Sequence, residues 1–436
     1  MSSSPDRRPG GPVPTKKNQF VGTDVLLRHL RRGGAAGLPV LTETQWHAVV
    51  NEAIRQRVAP LAFKRLKAGP ARDAIPPGAL QRLSDYYLRS SFRNALVLRE
   101  ATAAARLLGA HEIPLIFLKG VHLAGWIYSE PALRSMADID LMVPRNRLAD
   151  AERVFVEQGW GPQPRPDIRV HIARFPHITP LRRKGSLELE IHYAIERPTS
   201  PFLIDIDGLW RRAKTVDLEG AQARVLAAED LLIHLCLHAS YHHRYDRYPL
   251  KGLVDVAAVA ARYEGEVDWD ALAQRARAWG AARFVYCTMR LARDLLDAPI
   301  PGGALDPLGP EAGDEEVIRI ARHFIVTPPV DLPSGYQELR DARGLRDRLA
   351  WLTRNIFLPP NRLRTLYGLR AGSPLVYPYY LVRPFDLLVR RGLLMARMAL
   401  RTPEVRPTLE RERGRDRINA WVDGADDASS SRAIAN

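Results

Sequence analysis

The sequence predicts a small mixed-sheet core of the α+β or α/β class, flanked along the chain by helical regions on both sides. Three observations lead there. Apolar residues recur at helical spacing from about 44 to 108 and again from about 227 to 296. Between these stretches the period drops to two, in short runs closed by Lys119-Gly120, Pro144 and His192. Strand-like and helix-like runs then follow one another in β-α-β-α-β-β order, as in a small sheet with helices packed on one face. A chain of 436 residues is long enough for two or three such packed units.

The elements follow in order. Residues 1–20 are rich in Pro, Gly, Ser and Lys and are expected to be disordered. A helical region over 21–110 comes next. Thr44 is placed to N-cap a helix carrying Trp46, Val49, Val50 and Ile54. A second helix should start after Pro76-Pro77 and run through Leu83, Tyr87 and Leu96 to a cap at Gly109. The core is expected over 111–195. It comprises a strand over Ile113–Leu118, a helix from Val121 to about Tyr128, the strand Asp138–Val143, a helix from Arg147 to Gln158, and a hairpin region over Ile168–Ile178 and Leu187–His192. A helical domain over 196–300 follows. Residues 301–336 read as a linker or long loop, 337–415 as a basic helical tail, and 416–436 as disordered.

Composition narrows the partners. The formal charge of +15 favours anionic ligands: nucleotides, nucleic acid or a lipid surface. Residues 341–406 hold 13 Arg and no Lys against 4 acids, a balance of +9, so much of the basicity lies outside the core. The apolar, Arg-rich run VYPYYLVRPFDLLVRRGLLMARMALR reads first as a helical domain docked on the rest with its Arg residues solvated; beyond that, it suits peripheral contact with an anionic membrane better than it suits nucleic acid. No run approaches the ~18 apolar residues of a membrane span, and MSSSPDRRPGGPVPTKKN lacks the apolar region of a secretory signal. A cytoplasmic protein, associated at most with a membrane surface, is expected. Cys236 and Cys287, both in apolar helical surroundings, read as core filler in a reducing compartment.

The chemistry concentrates on two strands. Asp138 and Asp140 share one face, while Ile139, Leu141 and Val143 share the other. Adjacent carboxylates repel unless a cation lies between them. Glu188, Glu190 and His192 share a face in the same way, so one of these glutamates joins the aspartates if the strands are neighbours. Three carboxylates can hold Mg²⁺ or Mn²⁺. Lys119 and Arg134 either neutralise phosphate oxygens or form salt bridges to the acidic cluster, and Gly120 lets a phosphate approach the backbone. His234, His238 and His242 recur every four residues on one helix face. They fit helix packing, with His238 toward the cleft, better than a zinc site that no nearby acid or Cys completes.

The segment LKGVHLAGWIYSEPALRSMADIDLMV resembles the signature of the uncharacterised bacterial nucleotidyltransferase family of the DNA polymerase beta-like superfamily. LELEIHYAI resembles that family's third-carboxylate strand, and LLIHLCLHASYHH with LVDVAAVAARY its helical C-terminal part. The similarity spans roughly residues 40–330 and is sharpest over 115–193. It implies that Glu190 is the third metal ligand beside Asp138 and Asp140. It also implies transfer of a nucleoside monophosphate from an NTP, ATP foremost, to an acceptor with release of pyrophosphate. Where the wider superfamily has a Gly-Ser pair, this chain has Lys119-Gly120-Val121 and lacks the serine. Two alternatives stand beside this expectation: a non-catalytic scaffold of the same fold, and a phosphotransferase acting on a small alcohol.

Overall fold

The computed structural model describes residues 16–32, 40–70, 72–162, 171–183, 185, 187–246, 248–327, 344–370, 372–387 and 406–433. They divide into two units: residues 1–328 with 417–436, and residues 329–416.

The first unit opens with helices α1 (Lys16–Leu30), α2 (Glu43–Arg55), α3 (Ala59–Ala68) and α4 (Pro77–Ala110). Of the N-terminal stretch expected to be disordered, residues 1–15 lie outside the described residues and 16–20 begin α1. The cap of α2 is Thr42, two residues before the expected Thr44. Its hydroxyl accepts from the Gln45 N–H while the Gln45 side chain accepts from the Thr42 N–H. That reciprocal pair requires Gln at the third helical position, which only Thr42 provides. α4 is a 34-residue helix with Pro77 at its first position, where a missing N–H costs nothing.

The sheet follows. β1 (Ile116–Phe117) is shorter than the run 113–118 that announced it. After it come α5 (Lys119–His122), β2 (Asp138–Met142), α6 (Leu148–Glu157), β3 (Gly161–Pro162), β4 (Leu181–Arg182) and β5 (Glu188–His192). Of the expected 168–178 hairpin, 168–170 lie outside the described residues; the Ile178 N–H donates to the Ile191 carbonyl at 3.0 Å. Past α7 (Ile206–Arg212), β6 (Lys214–Leu218) and β7 (Ala221–Val225) complete the order β3-β4-β5-β2-β1-β7-β6. β2 runs parallel to β5 and β1 parallel to β7; the other pairs are antiparallel. The β6–β7 hairpin corrects the reading of 196–300 as helical. Its turn, Glu219-Gly220, has φ of 53° and 80°, the two left-handed residues of a tight hairpin.

Helices α8 (Ala228–Leu237), α9 (Pro249–Arg262), α10 (Trp269–Ala278), α11 (Ala282–Leu296) and α12 (Asp314–Val326) build the rest of this unit. Strand alternation sorts the sheet between two cores. Ile139, Leu141, Leu189 and Ile191 pack with Val97, Ala101 and Leu108 of α4 and Phe155 of α6. Met142, on the other face of β2, joins the helical core of α1–α3 and α8–α12. Asp138 and Asp140 share the Met142 face, so they stand where that face leaves the apolar core.

Two expectations about the C-terminal third are corrected. The 301–336 stretch contains α12, whose Ala321, Phe324 and Ile325 are buried. Residues 416–433 are helical, the end of a helix that spans Arg406–Ala433, because Ile418, Trp421 and Val422 recur at i, i+3, i+4 and are buried. The Trp421 Nε1–H donates to Asp314 at 2.8 Å, its ring lies 4.7 Å from that of Phe284, and the Arg283 guanidinium sits 4.6 Å over it. Both cysteines are free and buried, as core filler should be.

The second unit holds α13 (Leu345–Ile356), α14 (Pro360–Leu366) and α15 (Tyr379–Leu387); α16 (Arg406–Ala433) starts in it and ends in the first unit. Leu363 and Val376 are buried, whereas Leu375, Tyr377, Leu381 and Phe385 are exposed. Part of the basic run, 388–401, lies outside the described residues. No helix among the described residues is long and apolar enough to cross a membrane.

Trp421→Ala should lower stability by about 3–5 kcal/mol, the usual cost of emptying a buried aromatic site. Urea melts followed by far-UV circular dichroism measure it, and an unchanged midpoint would detach the C-terminal helix from the core.

Candidate active site

Register brings the acidic residues together. β2 and β5 pair in parallel with Asp138 opposite Glu188 and Asp140 opposite Glu190. The two glutamates are not equivalent. Arg182 holds Glu188 at 2.6 Å, whereas Glu190 lines a cleft with Asp138 and Asp140. His192, one step further on the same face, places Nε2 3.4 Å from both an Asp140 and a Glu190 oxygen. Among the described residues, the group whose potential ligand atoms all lie within 4.8 Å of one another is Asp140, Glu190 and His192. Asp138 stands outside that tight group, at the cleft lip.

Each carboxylate feels a different field. Burial, then repulsion from Asp140 and Glu190, pushes the Asp138 carboxyl above its ordinary range. Burial would do the same to Asp140, but Lys119 and His192 outweigh it and hold Asp140 well below the usual carboxylate range. Glu190 is also lowered: burial opposes its ionisation, and the His192 ring 3.4 Å away wins. His192 itself is held up by Asp140 and Glu190 against the effect of its burial.

The turn that leaves β1 supplies the first cation. The Leu118 N–H donates to the Asp140 carbonyl at 3.0 Å, which fixes the turn beside β2. Lys119 then adopts φ of 29° and reaches Asp140 at 3.6 Å. A left-handed conformation at a lysine is strained and is held only by its surroundings. Gly120 is needed for packing. A Cβ there would stand 3.1 Å from Arg134 Nη1 and 3.3 Å from Met136 Sδ.

Arg134 is buried and faces Asp255 of α9: Nε and Nη2 donate to its two carboxylate oxygens at 3.3 and 3.1 Å. The Tyr128 hydroxyl donates to the same carboxylate at 2.8 Å, and Lys251 Nζ at 3.4 Å. From α4, the Asn94 amide donates to the Arg134 carbonyl at 2.7 Å and the Ser90 hydroxyl to the Ala132 carbonyl at 2.7 Å. The loop before β2 is therefore clamped between α4 and α9.

The helical wall of the cleft brings Lys251, His238, His243 and Tyr248. Burial, with Arg134 and Arg57 nearby, pushes the Lys251 amine down to about 8 despite Asp255. Tyr248 has φ of 53°, and the Arg57 guanidinium sits 4.2 Å over its ring. His238 lines the cleft as its helix position suggested, where α8 widens into a π-turn over His238–His242. His242 turns away to Glu196 at 3.0 Å and His234 is buried, so the three histidines do not converge. Lys251, Asp255 and Arg57 escaped the sequence reading. Asp255 had a visible signal: it is the one acid in the apolar run LVDVAAVAA, four residues after Lys251.

The Arg134–Asp255 pair makes a structural test. Arg134→Ala strands a buried carboxylate and should cost about 3–5 kcal/mol of stability. The double variant Arg134→Met/Asp255→Leu should recover most of it, as read by denaturant melts; equal losses in both would mean the two residues do not act as a pair.

Among solved structures, the chain is similar to an antigenic nucleotidyltransferase-like protein from Paracoccidioides brasiliensis, at 16% identity and a TM-score of 0.34, over 49% of this chain and 97% of that one. No curated protein matches the sequence. A family model described as an uncharacterised nucleotidyltransferase matches residues 42–297. With well over half of its length matched, from α2 through α11 and across the whole cleft, the chain belongs to the uncharacterised nucleotidyltransferase family.

Proposed function

We propose that the protein is a metal-dependent nucleotidyltransferase of the DNA polymerase beta-like kind, moving a nucleoside monophosphate from an NTP, ATP foremost, to an acceptor. The observation that carries this reading is the β2–β5 register, which lines Asp138, Asp140 and Glu190 along one cleft with Lys119 and Lys251. The donor set suits a hard divalent cation such as Mg²⁺ or Mn²⁺: Asp140 and Glu190 offer oxygens within 4.8 Å of each other and of a His192 nitrogen, and burial with repulsion from both raises the Asp138 carboxyl beside them. Asp138, Asp140 and Glu190 would hold it, and a bound cation supplies Lewis acidity at the α-phosphate. His192, 3.4 Å from an oxygen of each, then positions Asp140 and Glu190.

The remaining work falls to the chain's own side chains. Lys119 and Lys251 meet the phosphate charge, and Gly120 keeps the turn tight beside it. Arg134, held by Asp255, contributes its field and fixes the loop that carries Ser135–Ala137 into the cleft. The acceptor oxygen attacks the α-phosphorus, Glu190 takes its proton, and the bond to the pyrophosphate oxygen breaks. A scaffold that binds without turnover gives no reason for three carboxylates of like charge to line one cleft. A phosphotransferase would use the same carboxylates but release ADP.

Asp138→Asn and Asp140→Asn should each abolish label transfer from α-labelled ATP; Asp138→Asn removes a like charge and should leave the apo protein at least as stable, whereas Asp140→Asn takes the partner from Lys119 and His192 and should lower its stability. Thermal melts of the wild type should rise with Mn²⁺ plus ATP and those of the variants should not. Wild-type melts indifferent to both ligands would sink the metal-dependent reading, and ADP among the products would replace it with phosphotransfer.

The second unit suits recruitment to an anionic membrane surface. Leu375, Tyr377, Leu381 and Phe385 are exposed in a segment that carries an excess of arginine. Full-length protein should co-sediment with vesicles containing phosphatidylserine and let go as salt shortens the screening length from about 10 Å at 0.1 M to about 3 Å at 1 M. No sedimentation at low salt would end this reading.

A further inference from the structure

The His192 ring is 3% exposed, and neither of its nitrogens has a hydrogen-bond partner. Strand alternation turns it to the same face as Glu190. There Nε2 stands 3.4 Å from Oδ1 of Asp140 and 3.4 Å from Oε2 of Glu190. Both distances exceed a charge-assisted N–H···O bond, which closes to about 2.7–2.9 Å. They match the spacing of atoms that share one cation. With bonds of about 2.1 Å and angles between about 90° and 109°, neighbouring donors lie roughly 3.0–3.4 Å apart. The potential ligand atoms of Asp140, Glu190 and His192 all fall within 4.8 Å of one another.

Asp140 divides its two oxygens. Oδ2 faces Lys119 at 3.6 Å and Oδ1 faces His192, so the lysine and the ring take different sides of the carboxylate. The ring is also held in place. His177 packs on it with ring centroids 5.0 Å apart, and Nδ1 of His177 donates to the Ile178 carbonyl at 2.7 Å. The Val143 N–H donates to the His192 carbonyl at 2.9 Å, which ties the end of β5 to β2. Donors fixed in advance by their surroundings hold an ion at a defined geometry.

We infer that Asp140, Glu190 and His192 form a second, inner cation site, and that the imidazole makes it a site for a first-row transition ion such as Zn²⁺ or Mn²⁺ in preference to Mg²⁺. Mg²⁺ keeps to oxygen donors, whereas imidazole nitrogen suits the transition ions. The inner ion shares Asp140 and Glu190 with the ion of the metal-dependent reading, on which this inference rests, and leaves Asp138 to that outer ion. His192 is thereby a metal ligand in addition to positioning its two neighbours.

The test uses the full-length chain in excess Mg²⁺, which fills an all-oxygen position, with less than one equivalent of Mn²⁺ as the probe. Electron spin-echo envelope modulation reads whether a nitrogen nucleus is bonded directly to Mn²⁺. The wild type should hold Mn²⁺ against Mg²⁺ and show the nitrogen modulation. His192→Gln should lose the modulation and bind Mn²⁺ about tenfold or more weakly. His238→Gln/His243→Gln strips the other imidazoles from the cleft wall and should keep both properties. That double variant carries the test if a circular dichroism melt shows His192→Gln to be unfolded. Bound Mn²⁺ without nitrogen modulation in the wild type overturns the inference alone, as does modulation that survives in folded His192→Gln or vanishes in the double variant. Complete displacement of Mn²⁺ by Mg²⁺ overturns it as well and leaves the outer ion standing. A chain that binds neither ion, alone or with ATP, removes the metal-dependent reading and this inference with it.

Discussion

Arg134 and Asp255 meet in the interior, 121 residues apart in sequence, and the architecture of the cleft follows from that pairing. One belongs to the loop that feeds β2, the other to a helix of the C-terminal half of the first unit. Neither charge tolerates burial alone, since a single unpaired ion costs several kcal/mol in a low-dielectric interior. The sheet and the helical region are thus held at a fixed separation by a bond neither side can drop cheaply. Tyr128 and Lys251 add donors to the same carboxylate, so its lone pairs are well used. What is left open between the two halves is the cleft.

That geometry sorts charge by wall. Carboxylates come from the sheet, where alternation forces Asp138 and Asp140 onto a common side. Cations come from a strained turn and from the helices. Lys119 belongs to both sets: it lies 3.6 Å from Asp140 and faces the same space as Lys251. Asp140 is stabilised as an anion by this lysine and by His192, whereas Asp138, further out, bears the repulsion.

The sheet was legible because period-two patterning over β2 and β5 is a local property, and so were the shared faces of their carboxylates. Which glutamate joins the aspartates was not legible from alternation alone. Glu188 and Glu190 occupy the same face, and only the pairing with Arg182 across β4 separates them. Arg134's partner was equally hidden, since a contact over 121 residues leaves no periodic trace. The β6–β7 hairpin was missed although Glu219-Gly220 marked it, because neighbouring helices dominated the reading. Ile418, Trp421 and Val422 were overlooked amid Asp, Gly and Ser, a composition that masks three well-placed apolar residues.

The return of α16 changes what the basic segment is. Residues 417–433 belong to the same folded unit as α12, so 329–416 is a segment inserted between two stretches of that unit. A nick inside it would leave two fragments that still share one core, joined through Trp421 and Asp314. Such a segment is a natural place to open new termini, by circular permutation for example, since the chain can be broken there without cutting a core element.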